Sequence, residues 1–169
     1  MKAAELKSLQ APLKQRYRDQ PKTASITLRA ESKIGEGVTC NVQTGKALVE
    51  AGLHPATGGD GLSVCSGDML LESLVACAGV TLRAVATALE IPLRDATIRA
   101  EGDLDFRGTL AVSKEVPVGF QNIRLRFELD SDATDEQIAT LLKLTERYCV
   151  VYQTLARPPK IDISHRVSK

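Results

Sequence analysis

Residues 65–92 read CSGDMLLESLVACAGVTLRAVATALEIP, and this stretch decides the fold. From Met69 to Leu89 it is apolar on nearly all sides, and Pro92 stops it. Ser66 is placed to cap the helix N-terminus, with Asp68 in the first turn to suit the positive helix end. Glu72 and Arg83 lie well inside, and the longest unbroken apolar run, Leu74 to Val80, is too short to cross a bilayer. The stretch therefore predicts a buried core helix. A helix that is apolar all round must be covered all round. One chain of 169 residues can hardly do that, so a homodimer wrapped about the helix is expected.

Working outward, Glu5 to Arg18 carries Leu6, Leu9, Leu13 and Tyr17 on one helical stripe despite Pro12, and Pro21 ends it. Ser25 to Glu31 alternates as a strand, and Val38, Cys40 and Val42 form one face of a second. Asn41 to Ala47 is read as turning through Gly45, and Leu48 to Asp60 as irregular. The run Thr57-Gly58-Gly59-Asp60-Gly61 is a loop without the lysine or the spacing of a phosphate-binding glycine motif. Beyond the central helix, Thr97 to Asp105 and Phe120 to Leu129 are strands. Thr134 and Gln137 form a capping box for a helix with Ile138, Leu141, Leu142 and Thr145 on one face, continued by Cys149. A short helix over Val150 to Ala156 and a last strand over Lys160 to Val167 complete an α+β chain with a mainly antiparallel sheet. Residues 1–20 stand as a helical extension and 21–169 as the domain.

Composition narrows the function classes. The net charge is +1, aromatic residues make up 4% and tryptophan is absent. There is no basic run, so neither nucleic acid nor an anionic membrane is an expected partner. The first twenty residues hold no apolar run and read as neither signal nor anchor, which points to the cytoplasm. Cys40, Cys65, Cys77 and Cys149 form no CxxC pair, and His54 and His165 are far apart, so no metal or other cofactor is expected. In a reducing compartment such cysteines are inert core residues or redox-active thiols.

Two segments carry a resemblance. Gly58-Gly59-Asp60-Gly61 followed by residues 65–77, and the later run Glu146-Arg147-Tyr148-Cys149-Val150-Val151-Tyr152-Gln153-Thr154-Leu155, resemble the OsmC/Ohr family over roughly Ala24 to Val167. The resemblance implies an intertwined dimer with a sheet wrapped about central helices. It also implies a two-cysteine peroxidase for organic hydroperoxides, with Cys77 peroxidatic and Cys149 resolving and a dithiol as reductant. Members of that family activate the thiol with an arginine and a carboxylate. Ten residues before Cys77, where the carboxylate belongs, stands Gly67, with Asp68 as the adjacent substitute. The loop expected to carry the arginine, Leu53 to Asp60, has none, which leaves Arg29. Asp68 and Cys77 are about two and a half helical turns apart and point to opposite faces. Glu72 and Arg83 share a face and read as a buried or partly buried charge pair, within the chain or across the dimer. Cys65, just before the helix, is a further supporting candidate, because the helix dipole favours a thiolate there.

With Leu70, Leu74, Ala84 and Ala88 around it, Cys77 is expected to lack help for its thiolate and to react slowly. The alternative is a non-catalytic protein that binds an apolar small molecule in the dimer cleft, with the cysteines as lining.

Overall fold

The structure is a computed structural model that describes residues 2–19, 31–34, 39–43, 48–111 and 113–167. Two features organise it. One is the central helix α2 (Ser66–Ala88), and the other is the two-stranded sheet of β5 (Asp95–Asp103) and β6 (Asn122–Asp130) on which α2 packs. These strands pair antiparallel from Asp95↔Asp130 to Asp103↔Asn122. The alternation seen in sequence thus becomes one apolar face, Ala96, Ile98, Phe127 and Leu129, against the core. The opposite face is laced by Arg99–Glu128, Arg124–Glu101 and Arg124–Asp103 ion pairs, all solvent-exposed.

The helix α2 buries a single stripe, Leu74, Ala78, Leu82, Val85 and Ala86. Its spacing of about four residues is the i, i+4 row of an α-helix. Leu82, Val85 and Ala86 join Ile91, Leu93 and Leu141 to make the core. Leu141 comes from α4 (Asp135–Tyr148), which begins with the expected capping box: Thr134 Oγ1 accepts from Gln137 N–H, and Gln137 Oε1 accepts from Thr134 N–H. The short helix α5 (Val150–Ala156) follows at once, with Cys149 as the joint between the two. By length and composition α2 could cross a membrane, but its packing on β5, α4 and α5 makes it the core helix of this fold.

The first half adds α1 (Ala3–Asp19), which runs through Pro12 as expected, and a second sheet. In that sheet β1 (Glu31–Ile34), β2 (Thr39–Gln43) and β3 (Leu48–Gly52) are antiparallel neighbours, and β4 (Val64–Cys65) runs parallel to β3. The strand expected over Ser25 to Glu31 lies, apart from Glu31 itself, outside the described residues.

Several expectations need correcting. Leu48–Gly52, read as irregular, is a strand, because its polar Glu50 faces out while Ala51 is buried. A four-residue helix α3 (Phe106–Thr109) was not foreseen. Cys65, not Ser66, is the N-cap of α2, and no side chain caps it. The last strand, Lys160 to Val167, has no regular structure in the single chain. Ile161 and Ile163 are 80% and 94% exposed, so the segment has strand periodicity without a partner strand. Glu72 and Arg83 form no pair within the chain, where about three helical turns separate them. Arg83 instead donates to the carbonyl of Leu93 at 2.6 Å, pinning the turn between α2 and β5.

The glycine run before α2 has a mechanical explanation. Gly58 closes the 3₁₀ turn Pro55–Thr57 in the left-handed region at φ 95°. A side chain on Gly59 would sit 1.7 Å from the Leu53 carbonyl oxygen, so the chain can pass there only as glycine.

Candidate functional site

Cys77 lies on α2, half-buried, and Cys149 lies at the α4–α5 joint, fully buried at 0% exposure. The packing of α2 on α4 and α5 brings the two thiols close enough for each to shift the titration of the other. They are 72 residues apart in sequence, and it is the close packing of Leu82, Val85 and Leu141 that fixes the approach.

The two sulfurs are not equivalent. Burial works to raise the pKa of Cys77, but donors outweigh it. The backbone N–H of Val151, the Cys149 thiol, the N–H of Val150 and the Thr81 hydroxyl all reach its sulfur, and the net shift is downward. Cys149 moves the other way. Burial raises it, and it gives its hydrogen bond to Cys77, whose charge further opposes a second thiolate; the amides of Tyr152 and Val151 only partly offset this. The Tyr152 N–H lies 3.5 Å from Cys149 Sγ. The pair is therefore built as one thiolate-forming sulfur and one proton-holding sulfur, an arrangement that favours nucleophilic attack by Cys77.

This corrects the expectation that Cys77 sits unassisted among Leu70, Leu74, Ala84 and Ala88. The helper groups are backbone amides at the α4–α5 joint and a hydroxyl one turn along α2. The amides could not be found from the residues around Cys77 in sequence. Thr81 could have been, since i and i+4 share a helix face.

The remaining sequence candidates fall elsewhere. Asp68 and Cys65 line a smaller cavity of about 240 Å³ with His54, Gly67, Leu71, Gly102, Leu104, Phe106 and Phe120. His54 stacks on Phe106 at 5.0 Å, and its Nδ1 accepts from the Ala56 N–H, which leaves Nε2 to carry the proton of the neutral ring. No described hydrogen bond or ion pair joins Asp68 to Cys77. The opposite-face reading of these two residues agrees with this. Arg29 lies outside the described residues, and the side-chain surroundings of Cys40 do as well. Among the described residues no cluster of His, Cys, Asp and Glu is suited to a metal.

A larger cavity of about 450 Å³ opens between β6, α2 and α5. Its walls are mostly apolar: Leu74, Phe120, Ile123, Leu125, Phe127 and Leu155, with Tyr152 and Glu146 adding polar edges. Leu74 is one turn from Cys77, and Tyr152 is the residue whose amide reaches Cys149. Phe120 lines both cavities, and its ring lies over Gly102, where any Cβ would come within 2.4 Å of it.

Comparison with known proteins follows the same lines. No curated protein matches the chain. Among solved structures, an OsmC-like protein from Mycoplasma pneumoniae superposes with a TM-score of 0.67 at 16% identity, covering 79% of this chain and 90% of that one. An organic hydroperoxide resistance protein OsmC from Legionella pneumophila gives 0.61 at 17% identity, covering 78% and 90%. One from Elizabethkingia anophelis gives 0.62 at 16%, covering 79% and 90%. At these identities the likeness establishes the fold. The family model of OsmC-like proteins matches residues 58–164, well over half of the 169 residues, and takes in both Cys77 and Cys149. The chain belongs to the OsmC-like protein family.

Proposed function

We propose that this protein is a thiol peroxidase that reduces organic hydroperoxides through Cys77 and Cys149. The observation that carries the reading is the contact between a thiol shifted toward thiolate and one shifted away from it. The Cys77 thiolate attacks the peroxide, the O–O bond breaks, and the alcohol leaves with a proton, giving Cys77 sulfenic acid. The Cys149 sulfur then attacks Cys77, water leaves, and a disulfide forms. A dithiol reductant returns two electrons and two protons. The mostly apolar 450 Å³ cavity, lined by Leu74 one turn from Cys77 and by Tyr152, suits the organic part of a hydroperoxide. Proteins named for organic hydroperoxide resistance share the fold. The test is a pair of variants. Cys77→Ser is expected to abolish turnover, and Cys149→Ser to leave one turnover followed by over-oxidation. Equal loss of single and multiple turnovers in both contradicts the assignment.

The same cavity favours a second reading, a non-catalytic protein that binds an apolar small molecule. Rapid consumption of thiols by hydroperoxide separates the two.

The working unit in this reading is a cytoplasmic homodimer, with residues 1–20 as an extension outside the domain of 21–169. Val80 on the outer face of α2 is 74% exposed, and the tail presents Ile161, Ile163 and Val167 to solvent. A second copy covering both surfaces accounts for this apolar exposure. Light scattering at micromolar concentration is expected to give twice the chain mass, and a clean, stable monomer would contradict it.

A further inference from the structure

Among the described arginine side chains, six are already held. Arg94, Arg99, Arg107, Arg124 and Arg126 each pair with a carboxylate. Arg83 donates to backbone carbonyls. Arg147, Arg157 and the tail's Arg166 differ: no described carboxylate or carbonyl accepts from any of these guanidiniums. Arg147 lies over the ring of its own neighbour, with its guanidinium carbon 5.7 Å from the Tyr148 ring centre. Of the three, Arg147 and Arg157 line one polar groove of about 520 Å³ together with Lys143, Glu146 and Gln153.

The groove lies in the elbow between α4 and α5. Lys143, Glu146 and Arg147 share one face of α4 at i, i+3 and i+4 spacing, Gln153 lies on α5, and Arg157 is the residue that ends α5. The Gln153 Nε2 donates to the Glu146 carbonyl at 2.8 Å and ties the two helices together at the groove. A cation in the last turn of a helix offsets the helix dipole, which accounts for Arg147 taken singly. It does not account for three cations from two helices around one groove. They face a single opposing carboxylate, Glu146, in a chain whose net charge is only +1.

We propose that this groove is an anion site for a phosphoryl group, with Arg147 and Arg157 as the clamp and Lys143 as the third cation. Guanidinium forks match the oxygens of phosphate. A tetrahedral dianion offers oxygens in three directions, one for each cation, where a flat carboxylate offers two in one plane. The groove is of a size that takes a small organic phosphate as readily as inorganic phosphate. Neither thiol lines the groove, although it lies in the same elbow as Cys149 and shares Glu146 with the 450 Å³ cavity, and the proposal does not depend on the peroxidase reading.

The test is calorimetric titration of the full chain with inorganic phosphate, glycerol 3-phosphate and citrate, each against sodium chloride at equal ionic strength. Saturable one-site binding of either phosphate is expected, weakened about tenfold or more in the Arg147→Gln/Arg157→Gln double variant. Tighter binding of the ester identifies an organic phosphate as the occupant, and equal binding identifies the free anion. The double variant is expected to keep its melting temperature in chloride, since both side chains are exposed. Should it fold poorly, Arg157→Lys keeps the charge, loses the fork and is expected to show an intermediate loss. Binding that follows ionic strength alone, a preference for citrate over both phosphates, or unchanged affinity in the variants overturns the proposal.

Discussion

Replacing Thr81 by valine keeps the shape of the side chain and deletes the hydroxyl that reaches the Cys77 sulfur. A hydrogen bond to a charged acceptor contributes about 1.5–3 kcal/mol. Sulfur is a diffuse acceptor and three other donors remain, so roughly 1 kcal/mol is a reasonable share for this hydroxyl. Since about 1.4 kcal/mol is a factor of ten, the thiolate population below the titration midpoint falls about fivefold. A more basic thiolate is also a better nucleophile, with a Brønsted coefficient of about 0.4–0.5, which recovers part of the loss. The net expectation is a two- to threefold slower alkylation of Cys77 at neutral pH, by this order-of-magnitude reasoning. The assay is pH-dependent labelling with iodoacetamide, quantified on the peptide that carries Cys77, with the other cysteines left in place so that the Cys149 donor is kept. The direction follows from the lowered pKa: native Cys77 is expected to become reactive at lower pH than a cysteine in the unfolded chain, and Thr81→Val to move its midpoint up. A native midpoint at or above the unfolded one, or no movement in the variant, refutes the reasoning.

Four further outcomes are expected. Cys149, fully buried and with a raised pKa, is expected to label far more slowly than Cys77 at any pH where the fold is intact; comparable rates in peptide mapping would contradict the asymmetry. Leu141→Ala empties the centre of the core at a residue with 0% exposure and is expected to cost about 2–5 kcal/mol in denaturant unfolding. Gly102→Ala drives a Cβ into the Phe120 ring, and a loss of about 1–3 kcal/mol with changed near-ultraviolet aromatic signal is expected. Thr134→Ala removes the capping box of α4 and is expected to cost about 1 kcal/mol, whereas an unchanged melting curve would show that the box contributes nothing.

Local pattern carried much of the fold. The apolar run 69–89, the alternation in Ile123, Leu125, Phe127 and Leu129, and the Thr134–Gln137 box each match the element that formed, because each signal is complete within about a dozen residues. One miss has its cause in a long-range partner. Ile161 and Ile163 alternate as a strand should, yet strand hydrogen bonds need a neighbour, and the described residues supply none. Leu48–Gly52 is a different case: only five residues long, it shows too little alternation of its own, and its pairing with β2 and β4 makes it a strand. Glu72 and Arg83 share a helix face but stand about three turns apart on it, and Arg83 reaches the turn carbonyl of Leu93. The candidate site divides in the same way. Cys77 and Cys149 were legible from their flanking residues, whereas the amides of Val150 and Val151 that bear on the Cys77 sulfur are backbone groups with no sequence signature. Asp68 and Cys65 were legible as helix-start residues, and the structure gives them a cavity of their own.

The most direct test of the central claim is a thiol count on the reduced chain before and after one equivalent of cumene hydroperoxide, with mass-spectrometric mapping of the product. The account predicts the rapid loss of two thiols per chain and a single Cys77–Cys149 disulfide, with Cys40 and Cys65 still free. No rapid loss of thiols, or a disulfide that pairs Cys77 or Cys149 with Cys65 or Cys40, would contradict it.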